Sequence, residues 1–116
     1  MNNENPMVDK KPTIQEIVDE AVIAASSATA KYLRENPDNW YPCGFAWVKI
    51  KPARGKLVTY LKDTGIGNVS MMGGLDVWNP SGNCTQSMYA KVEGAKAFAA
   101  VLKKHGYNAV HESRID

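Results

Sequence analysis

The run from Trp40 to Pro52, W-Y-P-C-G-F-A-W-V-K-I-K-P, constrains the fold more than any other part of the chain, because its side chains alternate with the period of a β-strand. Ala46, Val48 and Ile50 fall on one face, and Phe45, Trp47, Lys49 and Lys51 on the other. A strand from about Gly44 to Lys51 therefore has an aliphatic side that needs covering and a reverse side of rings and ammonium groups. Pro52 ends it, since proline cannot donate to a ladder.

The segments around this strand are punctuated clearly. Residues 1–12 are polar, contain Pro6 and Pro12 and show no periodicity, which predicts a flexible N-terminal arm ahead of a single domain over residues 13–116. Thr13 and Glu16 form a capping box, and Ile14, Ile17, Ala21, Ala25, Ala28 and Tyr32 recur at helical spacing until Asn36-Pro37. The small residues in the middle of this helix allow another backbone to approach closely. A short helix is expected from Arg54 to Thr64, using Leu57, Val58 and Leu61 and capped by Gly65. Asn68 to Met72 and Leu75 to Asn79 read as strands around a two-residue Gly73-Gly74 turn. A second long helix runs from about Thr85 to His105, capped by Asn83 or Thr85 and ended by Gly106. A short edge strand spans Tyr107 to Ile115.

After the leading helix the order is β-α-β-β-α-β. With both helices on one face of an antiparallel sheet this is an α+β, ferredoxin-like sandwich, whose second sheet face is free unless the extra N-terminal helix covers it.

Composition narrows the function classes. With 44% apolar and 22% charged residues the chain has the balance of a folded globular protein, and 116 residues suffice for one core. No stretch approaches the roughly 18 apolar residues of a spanning helix, and the first residues lack the order of a signal peptide, so no membrane association and a cytoplasmic location are expected. The net charge of +2 is too small to imply polyanion binding. Its distribution is more informative: Asn39 to Lys62 holds five basic residues and no acid.

The candidate binding residues are accordingly Phe45, Trp47, Lys49, Lys51, Arg54, Lys56 and Trp78. The rings can stack bases, at about 1–3 kcal/mol per base, while the cations follow phosphates. The same residues also suit a protein-docking patch, or rings buried under the leading helix. Cys43, Cys84, His105 and His111 invite a zinc reading, but the cysteines stand forty-one positions apart, where zinc sites bring ligands in close pairs. No metal, cofactor or catalytic set is expected. A small-ligand or enzymatic pocket around Cys43, Asn83 and Gln86 is the remaining class.

Two resemblances add to this reading. Cys43-Gly-Phe-Ala-Trp-Val-Lys-Ile50 resembles the RNP1 signature of RNA-recognition motifs through Gly44, Phe45, Ala46 and Val48, with Trp47 as an aromatic replacement. Cys43 replaces its basic residue, Ile50 replaces its last aromatic, and the motif lies on the first strand, not the third. The set P-C-G-F-A-W-V at Pro42 to Val48, Gly73-Gly74, Gln86-Ser87-Met88 and Ser113-Arg114-Ile115-Asp116 is similar to small uncharacterised bacteriophage and mobile-element proteins. That similarity implies a host-directed or replication-associated accessory protein, such as a counter-defence inhibitor, with no active site to transfer. The leading expectation is a non-enzymatic accessory protein that binds a host or phage protein through its aromatic-basic sheet face. The alternative is a single-stranded RNA or DNA binder using that face.

Overall fold

The capping box at Thr13 forms as the sequence predicts: its hydroxyl accepts from the Glu16 amide at 3.1 Å, and the Glu16 carboxylate accepts from the Thr13 amide at 2.8 Å. The computed structural model describes residues 11–37 and 41–116, so most of the expected N-terminal arm, and Trp40, lie outside the described residues. From the cap, helix α1 runs over Ile14–Glu35. Strand β1 follows at Gly44–Ile50, helix α2 at Lys56–Asp63, strands β2 at Asn68–Val69 and β3 at Leu75–Trp78, helix α3 at Met88–Lys104 and strand β4 at Ala109–Ile115.

The four strands lie in the order β2-β3-β1-β4 with every neighbouring pair antiparallel. That order, with β-α-β-β-α-β connectivity, is the ferredoxin-like arrangement, preceded by one extra helix. Helix α3 packs on β1 and β4, and α1 packs along α3 and touches α2. The leading helix thus joins the helical layer, and among the described residues no helix covers the opposite sheet face.

The core lies between these layers. Ala46, Val48 and Ile50 of β1 meet Leu75 and Val77 of β3, with Leu57, Val58 and Leu61 of α2, Phe98 and Leu102 of α3, and Ile17 and Val18 of α1. The α1–α3 seam is built from small residues, as the Ala-rich middle of α1 requires. The buried Thr29 hydroxyl donates to the Ala90 carbonyl at 2.7 Å, and a Cβ added to Gly94 would lie 2.5 Å from that hydroxyl. At the far end of the seam Glu20 of α1 pairs with Lys104, and with the His105 ring at 3.1 Å.

Three local expectations need correction. Ser87, not Asn83 or Thr85, caps α3, accepting from the Ala90 amide at 3.2 Å. Asn83 instead accepts from the Thr85 amide in the preceding loop, which delays the helix start. The β2–β3 connection is not a two-residue Gly-Gly turn. The Ser70 amide donates to the Gly74 carbonyl and the Gly73 amide to the Ser70 carbonyl, so Met71 and Met72 form the tip, and both glycines take positive φ to close it. The last strand is at an edge as expected, but it starts at Ala109 and not Tyr107, and its seven residues all pair with β1.

Candidate functional site: an aromatic groove on the open sheet face

Hydrogen bonding along β1 decides which side chains meet. The Asn79 amide donates to the Ala46 carbonyl at 3.0 Å, so Ala46, Val48 and Ile50 turn their backbone groups toward β3. Trp47 opposite Trp78 and Lys49 opposite Asp76 are therefore non-hydrogen-bonded pairs, the closer of the two antiparallel classes. The consequence for each pair differs.

Trp47 and Trp78 stack, with ring centroids 4.5 Å apart and planes inclined by 25°. Phe45 meets Trp78 edge-on at 6.2 Å. The Trp47 indole is only partly buried, and its N–H donates to the Glu112 carboxylate of β4 at 2.9 Å. Trp78 remains 46% exposed. Two cations flank Phe45: the Arg114 guanidinium at 5.4 Å and the Lys91 ammonium at 5.6 Å from its centroid. The three rings named from the sequence thus form one cluster on the uncovered face.

Lys49 behaves differently from the sequence expectation. Its ammonium does not project into solvent: the residue is 7% exposed, its partner Asp76 8%, and the two charged groups stand 2.9 Å apart. The same ammonium donates to the Gly73 carbonyl at 2.6 Å. Lys49 is a strut that ties the β2–β3 loop to the sheet. Its position on the ring-bearing face is as expected, but its charge is already neutralised.

The other cations also lie apart from the rings. Lys51, Arg54 and Lys56 border a separate depression of about 170 Å³ at the β1–α2 junction, together with Ile14, Pro52 and Tyr107. Only Phe45, Trp47 and Trp78 of the seven residues make the ring cluster, and Lys49, Lys51, Arg54 and Lys56 do not extend it into a basic stripe.

Beside the stacked indoles the sheet and the hairpin loop enclose an open groove of about 350 Å³, bordered by Trp47, Asn68, Met71, Met72, Trp78 and Arg114. Met71 and Met72 at its rim are 102% and 87% exposed. The sequence reading passed over the methionines, Glu112 and Arg114. A shared-face test applied to the last strand would have found Glu112 and Arg114, once its register opposite Trp47 and Phe45 was known.

Elsewhere, the Cys43 thiol donates to the Gln86 side-chain oxygen at 3.4 Å, whereas Asn83 is engaged in its own loop. Both cysteines are exposed thiols. His105 faces Glu20, and among the described residues no three His, Cys, Asp or Glu side chains stand together as a metal site requires. No helix among the described residues is long and apolar enough to cross a membrane.

Against this geometry, comparison with known proteins is silent: no family model, no curated protein and no solved structure matches the chain.

Proposed function

We propose that the open sheet face is a docking surface for a protein partner and that the chain works by binding and not by catalysis. The observation that carries this reading is the groove itself, in which a stacked Trp47–Trp78 pair lies beside two methionines held fully in solvent. Rigid indoles with adaptable thioethers are the chemistry of apolar protein recognition. The groove's charge favours the same reading. Lys49 is consumed by Asp76, and the Glu112 carboxylate lies against Trp47, where a phosphate would be repelled. In the setting that the sequence resemblance implies, the partner is a host or phage protein met in the cytoplasm.

The test is affinity capture with the purified chain, its Trp78→Ala variant and its Met71→Ser/Met72→Ser variant, with captured proteins identified and titrated back. One partner whose affinity falls at least tenfold in both folded variants supports the reading. Equal affinity for all three forms refutes it.

A second reading, single-stranded nucleic acid, rests on Arg114 and Lys91 beside Phe45, next to a ring face able to stack a base. Titration with a labelled single strand at two salt concentrations separates the two. Phosphate contacts lose affinity steeply with salt, and apolar docking does not.

A further inference from the structure

Strand β4 ends the sheet with its outer edge open. Among the described residues no strand pairs with it, and its seven residues contain no proline, glycine or lysine, and no bulge interrupts its register with β1. Proline, lysine and bulges are among the devices that protect sheet edges, and a seven-residue edge without them can template another strand.

The hydrogen-bond pattern shows which groups are on offer. The Asp116 amide donates to the Cys43 carbonyl and the Lys51 amide to the Asn108 carbonyl. Alternation from those two bonds turns the backbone groups of Val110, Glu112 and Arg114 inward to β1, and those of Ala109, His111, Ser113 and Ile115 outward.

From this edge we infer that β4 pairs with β4 of a second copy of this chain, antiparallel about a two-fold axis at Ser113. Charge complementarity selects both the occupant and the register. A two-fold perpendicular to the sheet keeps like faces together, so three central registers are available, on His111, Glu112 or Ser113. Centring on Glu112 sets the two Glu112 carboxylates against each other. Centring on His111 sets His111 against His111 and leaves Arg114 without an acidic partner. Centring on Ser113 places Glu112 opposite the second copy's Arg114 twice, with outward backbone groups meeting at Ser113–Ser113 and His111–Ile115. Opposite charges directly across strands stabilise a pairing, and like charges oppose it.

The side chains are prepared for that exchange. Glu112 holds Trp47 through one carboxylate oxygen, and among the described residues the other has no hydrogen-bond partner. Arg114 lies over Phe45 and, among the described residues, has no carboxylate partner. Pairing also covers part of Ile115, which is 64% exposed in the single chain. The result is a continuous eight-stranded sheet carrying two aromatic grooves on one face. The inference does not depend on what those grooves bind.

The experiment is molar mass by light scattering and sedimentation over a concentration series. The expected result is a concentration-dependent species of twice the 12.7 kDa chain mass. Ser113→Pro removes an outward amide without touching the ladder to β1, and should leave only monomer at unchanged helical and strand signal. Glu112→Arg and Arg114→Glu should each weaken the dimer at least tenfold, and the double exchange E112R/R114E should restore it, since only the Ser113 register sets those positions opposite each other. In a Cys43→Ser/Cys84→Ser background, Ser113→Cys should oxidise to a covalent dimer, because paired strand positions lie within disulfide reach. A chain that stays monomeric throughout, a dimer untouched by the proline, or a charge exchange that fails to restore pairing would each overturn the inference.

Discussion

The Lys49 ammonium and the Asp76 carboxylate form a buried ion pair, 2.9 Å long, in the middle of a sheet face that bears no helix. Burying a charge is tolerable only with its partner present. Lys49→Met strands the carboxylate and releases the Gly73 carbonyl, so it should cost about 3–5 kcal/mol. Replacing both, with Lys49→Met and Asp76→Leu, should recover most of that loss. Urea denaturation of the three proteins measures it, and a single variant as stable as wild type would show that the pair is not sealed from water.

Trp78→Ala removes one ring of the stack but leaves the helical core unchanged. Trp78 is 46% exposed, so losing its buried half together with the ring pairing, the latter about 0.5–1.5 kcal/mol, should cost less than the roughly 3–5 kcal/mol of a core ring. Partner affinity should fall at least tenfold while the variant stays folded. A collapse in stability of core size would instead make Trp78 a structural residue.

Met71 and Met72 touch little in the folded chain, and Met71→Ser/Met72→Ser should leave unfolding within about 0.5 kcal/mol of wild type. Chemical denaturation checks this. The variant is then a clean probe of the groove, because any binding defect reports contact rather than folding.

Gly94 sits where α1 crosses α3. A methyl there meets the Thr29 hydroxyl and approaches the Ala25 carbonyl, so Gly94→Ala should destabilise by about 1–3 kcal/mol despite alanine's better helix propensity. Equilibrium unfolding decides between these opposed effects. A stabilised variant would mean that the two helices separate without cost.

Glu20 links α1 to the end of α3, and hydrogen bonds from Lys104 and then His105 hold its carboxyl below the usual value of 4.5. A folded-state value below the unfolded one adds stability that is complete above pH 4.5 and disappears as pH falls through the depressed folded value. Glu20 and Lys104 are exposed, so the contribution is small and screened by salt. Wild type and Glu20→Gln should therefore differ at neutral pH and converge in acid. A gap that widens on acidification would contradict the pairing.

Much of this architecture was legible from local sequence. Thr13 with Glu16, Asn36-Pro37, Pro52, Gly65 and Gly106 mark boundaries through backbone chemistry that operates within a few residues. The alternation along Phe45 to Ile50 likewise divided one strand into a core side and a ring-bearing side. The start of α3 was misplaced because Asn83, Thr85 and Ser87 are all competent caps, and only the hydrogen bonds of the folded loop choose among them.

The composition of each face was thus a property of the sequence by itself, because side-chain direction follows from the two-residue period of a strand. Whether a charge on that face remains free was decided by tertiary structure alone. Lys49 meets a carboxylate 27 positions away, and Trp47 meets one 65 positions away. Both contacts exist only through the register of strands brought together by the whole fold. No local pattern encodes such a register, and it is what turned an expected basic stripe into an apolar groove with its lysine locked inside the sheet.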